Sequence, residues 1–251
     1  MDFLNALILL LNYIFVPALA YGSQLAIGAI FVTLIYGILR FANFATGDMM
    51  SFGTMVAILF TWYFQSLGLS LGFLPTALLA IPFAILFMGL YMLIIDKFVF
   101  KYYRLNKSPP VQLAMVSIGV MFVTQAVVRI IIGPSDRRFF DGEKFLIRAN
   151  EFKEMTGLNE GLAIKSTQAI TIVVTIILVS TLFWFLNKTK TGKSMRAYSD
   201  NEDLALLSGI DPKKIVMITW MIAAILATIG GVLYGLDKSF KPFTYFNNML
   251  P

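Results

Sequence analysis

The chain contains neither cysteine nor histidine among its 251 residues. Without cysteine, disulfides and thiolate metal sites are excluded. Without histidine, the commonest general base and zinc ligand is missing. Charge is also scarce, at 14 % of residues, where soluble domains carry about a quarter. What fills the space is apolar: 58 % of residues are hydrophobic, with a mean hydropathy of +0.79. Apolar runs of bilayer length recur, which makes the chain an all-α, polytopic transmembrane helical bundle. The net charge of +6 resides mostly in loops. No basic block interleaved with aromatics points to nucleic acid. The N-terminus lacks a charged n-region and a small-residue cleavage site, so Phe3 to Ala20 reads as a retained span.

Seven spans are expected, near 3–20, 22–41, 51–68, 72–98, 112–133, 167–187 and 213–236, forming one transmembrane domain over 1–251. Pro17 and Gly22 interrupt the first two, which could be one broken helix or a re-entrant entry. Pro75 and Pro82 lie in the fourth and would kink or tilt it. Ser108-Pro109-Pro110 marks the next helix start. Residues 134–166 form a polar insert whose six basic residues balance six acidic ones. It reads either as a docking surface or as a solvated loop with a short helix near Glu151 to Met155. Parity places 96–111 and 188–214 on one side of the membrane and the insert on the other. The first two carry ten Lys/Arg and the insert six, so the positive-inside rule makes 188–214 cytoplasmic and 134–166 extracytoplasmic. Trp184 and Trp62 suit the two interfacial belts.

The stretch 188–214 holds the densest helix punctuation. Ser199 and Glu202 read as a capping box, and Asp200, Glu202 and Asp203 place acid at the positive end of a short helix. Leu204 to Leu207 supply its apolar side, Gly209 is suited to a left-handed stop, and Asp211-Pro212 restarts a helix. A short capped helix between two spans can serve as a lever pushed by a partner at the membrane surface. The Gly192-Lys193-Ser194 run imitates the end of a phosphate-binding loop. Asn187 stands where that loop needs its first glycine, and an apolar span precedes it in place of a buried strand. ATP, if used, is expected on another subunit.

Between the second and third spans, Asn43, Thr46, Gly47 and Asp48 fall within six residues. The segment is either an ordinary surface loop or an unwound stretch lining a translocation path. Arg40 and Asp48 could pair there or snorkel to an interface. Ser117, Gly119, Thr124 and Gln125 in the fifth span fit interhelical hydrogen bonding better than a pore-facing stripe. Ala223, Ala227, Gly231 and Gly235 recur every four residues in the last span, a seam for close helix packing. The tail from Lys238 to Pro251 ends apolar with no final helix, as expected of a truncated chain.

Two stretches carry a family resemblance. Tyr36-Gly-Ile-Leu-Arg-Phe-Ala-Asn-Phe-Ala-Thr-Gly-Asp48 resembles the "YG…R…NFAHGD" segment of LivH-type permeases, membrane subunits of branched-chain amino acid ABC importers. Thr191, Arg196-Ala197, Asn201, Ala205 and Gly209-Ile210 resemble the cytoplasmic loop of that family, and the 223–235 seam resembles the segment after it. The resemblance implies that Gly192, Arg196, Ala197, Asn201, Ala205 and Gly209 couple to an ATPase. It also implies that Asn43, Thr46, Gly47 and Asp48 lie near the substrate path. The partners implied are ATP-binding subunits, a second LivM-like permease subunit, a periplasmic substrate-binding protein and membrane lipid, in a bacterial inner membrane. No cofactor or metal is implied, and the chain itself would be non-catalytic. Thr46 stands where the family has histidine, and the family's C-terminal spans are missing. Urea and amide permeases share these motifs. An ion-coupled transporter is disfavoured because most spans lack an ionisable residue near mid-depth. Such a transporter would also leave the lever without a task. An embedded enzyme lacks any acid–base constellation, and a simple channel is a minor alternative, since a selectivity filter need not show a charged ring.

Overall fold

Pro17 has no N–H to donate, and its ring crowds the carbonyl one turn back, so a regular helix cannot run through it undisturbed. The computed structural model, which describes residues 2–72, 74–139, 145–157 and 160–241, resolves this locally. Helix α1 (Asp2–Leu10) enters a π-turn (Leu11–Phe15), closed by the Val16 N–H on the Leu11 carbonyl, and continues as α2 (Val16–Leu39). The wider turn opens the backbone just before the proline. The break expected between 3–20 and 22–41 is therefore absent, and these two expected spans are one helical stretch. That stretch runs for 37 residues, about 55 Å at 1.5 Å per residue, beyond the hydrocarbon core of about 30 Å.

The remaining elements follow in order. Helix α3 covers Thr46–Ser66, so Gly47 and Asp48 are already helical. Helix α4 (Ala77–Ile95) starts after Pro75 and keeps Pro82 inside it. It passes through a second π-turn (Asp96–Phe100) into α5 (Lys101–Leu105), so much of the basic segment after 96 is helix and not loop. Then come α6 (Pro110–Ile132), β1 (Phe145–Ile147), α7 (Ala149–Thr156), β2 (Ile164–Lys165) and α8 (Ser166–Lys188). They are followed by α9 (Lys190–Asp200), α10 (Glu202–Leu207) and α11 (Pro212–Asp237). The insert folds as α7 between two antiparallel strands. Asp141, Glu143 and Lys144 of the insert and residues 242–251 of the tail lie outside the described residues.

Among the described residues, five helical stretches are long and apolar enough to cross a membrane: Phe3–Leu39, Ala77–Leu105, Pro110–Ile132, Ser166–Lys188 and Pro212–Asp237. The expected count of seven is thus reduced. Two spans merge, and α3 is too polar to qualify by composition. It nevertheless runs between the same two ends of the bundle, and thirteen of its 21 residues are buried. Shielded by α4, α6 and α11, it has little need of an apolar surface.

Helix α11 is the centre of the fold. In its most apolar window 67 % of residues are buried, against 33 % or less in the other four stretches. It packs on α2, α3 and α4 by small residues. A Cβ on Gly231 would overlap Thr54 Oγ1 and come within 2.8 Å of the Met50 carbonyl. On the facing helix, a Cβ on Gly53 would come within 2.9 Å of Thr228 Oγ1 and 3.2 Å of Thr228 Cα. Gly230 is similarly close to Ile27 and Met50. Ala223, Ala227 and Gly235 of the same helix are buried.

Two ends of the bundle are chemically distinct. At one, Trp62 Nε1 donates to the Arg138 carbonyl, Gln65 Nε2 to the Phe139 carbonyl, and Arg137 pairs its backbone with Phe240. The Asn12 side chain accepts from Ala163 N. The insert therefore closes over the ends of α3 and α11 and the first π-turn. At the other end lie Arg40, the second π-turn and the α9–α10 loop, so loop and insert are on opposite ends, as parity requires.

The small-residue contact predicts unequal responses to the same substitution. Gly231→Val should destabilise the detergent-solubilised protein by about 1–3 kcal/mol, the usual cost of overpacking. Gly22→Val, where a Cβ would meet nothing within 4 Å, should cost under about 1 kcal/mol. Thermal unfolding followed by tryptophan fluorescence measures both.

Candidate functional site

The loop between α8 and α11 is built by local hydrogen bonds. Thr189 caps α9 by accepting from Gly192 N at 3.0 Å. Gly192 packs so closely on the end of α8 that a Cβ would lie 2.6 Å from Leu186 Cα, so glycine is what permits the sharp turn. The Gly-Lys-Ser run thus sits in the first turns of a helix, with the Gly192 N–H already bonded.

The expected Ser199–Glu202 capping box does not form. Ser199 Oγ instead donates to the Gly37 carbonyl of α2 at 2.6 Å. Asn201 takes the cap, its side chain accepting from Leu204 N at 3.0 Å, and Glu202 accepts from the Tyr198 hydroxyl at 2.8 Å. Burial first, and then that bond to a carboxylate, push the Tyr198 phenol well above the usual tyrosine range, so it remains a neutral donor. At the far end, Gly209 N reaches the Leu206 carbonyl and Ile210 N the Ala205 carbonyl, with Gly209 at φ +79. This is a Schellman stop. Asp211 then accepts from Lys213 N and opens α11 with Pro212 in its first turn.

Arg40 ties this loop to the end of α2. Its backbone is left-handed (φ 57), unfavourable for a side chain with a Cβ. From that position Nη2 donates to the carbonyls of Ser199 at 2.9 Å and Asp200 at 3.3 Å, the last residues of α9. A guanidinium there meets orphan carbonyls and the negative end of the helix dipole. The pairing of Arg40 with Asp48 considered from the sequence does not occur.

The loop divides its residues between a buried and an outward face. Ala205 and Gly192 are buried, whereas Arg196, Ala197, Asn201 and Gly209 are exposed. Arg196 Nη1 donates to Asn187 Oδ1 at 2.8 Å. Leu204, Leu206 and Leu207 point outward, Leu207 at 85 % exposure. A six-residue helix offers one narrow inner stripe, and Ala205 fills it. The sequence marks Leu204 to Leu207 as the apolar side of this helix, and its three leucines face outward.

Residues 41–48 form a second cluster. Asn43 Oδ1 accepts from Ala45 N at 3.1 Å, Thr46 Oγ1 donates to the Asn43 carbonyl at 3.1 Å, and Phe44 N donates to Ser117 Oγ at 2.9 Å. Asn43, Thr46, Gly47 and Asp48 are all buried. Gln125 Nε2 donates to Asp48 Oδ2 at 3.1 Å, and Arg129 Nη2 donates to Gln125 Oε1 at 3.3 Å. The connection is internally bonded and stitched to α6. Thr124 also joins α4, through a 2.7 Å contact between its hydroxyl and that of Tyr91.

A third cluster escaped sequence reasoning. Asp96, in the second π-turn, receives Arg104 in a two-pronged pair at 2.8 and 3.1 Å and the Trp220 indole N–H at 2.8 Å. Phe100 stacks on fully buried Trp220 at 5.6 Å and touches Phe41 at 5.0 Å. The residues are 124 positions apart in the chain, and no periodicity links them.

The Arg40 anchor generates a test. Arg40→Gly relieves the left-handed backbone but removes the guanidinium, whereas Arg40→Ala removes it and keeps the strain. Arg40→Ala should lose about 1 kcal/mol of stability, with Arg40→Gly closer to wild type. Chemical denaturation in detergent measures the order of the two.

Comparison with known proteins places the chain. Residues 14–250 match the family model described as branched-chain amino acid transport system / permease component. The high-affinity branched-chain amino acid transport system permease protein LivH of Escherichia coli is 27 % identical over 218 residues, covering 85 % of this chain and 67 % of that protein. The corresponding BraD protein of Pseudomonas aeruginosa is 26 % identical over 224 residues, covering 88 % and 70 %. A probable LivH of Methanocaldococcus jannaschii is 26 % identical over 236 residues, covering 90 % and 67 %. No solved structure matches. With its several helices of membrane-crossing length and a family match over almost its whole length, this chain belongs to the branched-chain amino acid permease family.

Proposed function

We propose that the chain is a non-catalytic permease subunit of an ATP-driven importer, carrying branched-chain or related amino acids delivered by a periplasmic binding protein. ATP-binding subunits dock on the α9–α10 loop, and a second permease subunit completes the path. One observation carries this reading. A short helix, capped at both ends, holds Leu204, Leu206 and Leu207 out into solvent, while Ser199 and Arg40 tie its base to α2. Exposed leucines on a rigid mount are costly unless a partner covers them. Gly192, Arg196, Ala197, Asn201, Ala205 and Gly209 then divide by role. Ala205 and Gly192 shape the mount, and the exposed four border the docking face.

In this mechanism, closure of the ATP-binding subunits pushes α10. The push passes through the four-residue link at 208–211 into α11, and through Arg40 into α2. Because α11 and α3 touch backbone to backbone, α11 cannot shift without moving α3. The cluster of Asn43, Thr46, Gly47 and Asp48 at the start of α3 would move with it. We assign those four residues to the substrate path on that ground, their buried bonds being the closed state of the path. The seam of Ala223, Ala227, Gly231 and Gly235 transmits the movement.

The docking role separates two substitutions. Leu207→Asp, at an exposed position, should leave stability within about 0.5 kcal/mol of wild type. In proteoliposomes containing all subunits and the binding protein, it should nonetheless cut ATP-dependent leucine uptake at least about tenfold, the equivalent of 1.4 kcal/mol in coupling. Ala205→Asp should lose both uptake and stability. Wild-type uptake by Leu207→Asp would remove the docking assignment. Uptake of urea and not leucine by the wild-type assembly would move the substrate to the related amide class.

A further inference from the structure

Where α2, α8 and α9 meet beside the coupling loop, they leave a cleft of about 230 Å³. Its walls are Ile30, Leu34, Leu182 and Leu186, and its rim carries Thr33 and Arg196. The walls belong to two helices of membrane-crossing length, at the ends that meet α9. The polar groups at the rim sort by availability. Thr33 Oγ1 donates to the Ile30 carbonyl, and Ser199 Oγ to the Gly37 carbonyl. Arg196 gives one N–H to Asn187 Oδ1 and has further guanidinium donors beside it. Lys188, Lys190, Lys193 and Arg196 lie along the end of α8 and the first half of α9, all exposed, and no acidic residue occurs from 188 to 199.

An apolar slot with a guanidinium in its lining and no acidic group there selects its occupant. A free amino acid brings an ammonium that the lining has no carboxylate to receive. A zwitterionic lipid presents its own cation toward the basic edge. A lipid with net negative charge satisfies both parts, with hydrocarbon against the leucines and phosphate at the guanidinium. We infer that this cleft binds one anionic phospholipid, an acyl chain lying between α2 and α8 and the headgroup phosphate held by Arg196. The bound lipid would fill the space behind α9 and stiffen the mount on which α10 stands. The assignment rests on the membrane location of the chain and not on its transported substrate.

The test is native mass spectrometry of the full-length protein titrated with phosphatidylglycerol or with phosphatidylcholine of the same acyl chains. Wild type should retain one phosphatidylglycerol in preference to phosphatidylcholine by at least about fivefold, the effect of roughly one basic residue near an anionic surface. Arg196→Gln should erase that preference. Thr33→Trp, at an exposed rim position, should fill the cleft and lower retention of both lipids. Equal retention of the two lipids by wild type would overturn the proposal. Loss of the preference with Arg196→Gln but full retention with Thr33→Trp would also overturn it, showing a basic surface without a cleft site. The reverse pattern would overturn the phosphate contact.

Discussion

The constraint on which the structure depends is the contact between α3 and α11, where Gly53 faces Thr228 and Gly231 faces Thr54 and Met50. A side chain larger than hydrogen at either glycine would force the helices apart. In lipid, where apolar surface gains little by leaving its surroundings, such close approach is a principal source of helix association. It also has a chemical consequence. Helix α3 carries Thr46, Asp48, Ser51, Thr54 and Thr61, all buried, which would be expensive against hydrocarbon. Enclosed by α4, α6 and α11, it can keep those groups within the bundle. A polar helix at the centre of an apolar protein is thus a product of the packing around it.

Under the proposed function, the same contact gives the loop something to move. Four elements converge on the surface end of the bundle: the end of α2 at Arg40, the π-turn at Asp96, the α9–α10 loop and the start of α11. Arg40 joins the first to the third by charge-assisted bonds, and Trp220 joins the second to the fourth through Asp96. Phe41 and Phe100 close the ring by direct contact. Fully buried and hydrogen-bonded, Trp220 lies two turns into α11 and fixes that helix against α4. A displacement of α10 therefore meets a connected frame and not a hinge in open solvent. Arg40, held in a backbone region that disfavours it, shows that the connection is maintained against local preference.

Much of this was legible in the sequence. The helical membrane class followed from composition, and the last helix start followed from Asp211-Pro212, because capping chemistry is local. The stop at Gly209 was legible for the same reason. What failed was non-local. The pair of spans at 3–41 looked broken because a proline and a glycine punctuate it, and only the π-turn shows how the helix absorbs Pro17. Ser199 had the spacing of a cap, yet a carbonyl 162 residues away in the chain took its hydroxyl. Helix α3 was expected as a crossing span at 51–68, but its start at Thr46 and its shielding by neighbours, which lets it carry so many polar residues, were not legible. The Asp96–Arg104–Trp220 cluster has no sequence signature at all.

The central claim is that the α9–α10 loop is where ATP-binding subunits push. The absence of cysteine from these 251 residues makes it directly accessible, because one introduced thiol is then the only one among them that a maleimide cross-linker can label. Leu207→Cys and, as a control at the opposite end, Leu67→Cys would be labelled in the assembled transporter and the cross-linked product identified by mass. The account predicts a product with an ATP-binding subunit from position 207 and none from position 67. A product from 67, or none from 207 in an assembly that hydrolyses ATP, would contradict it.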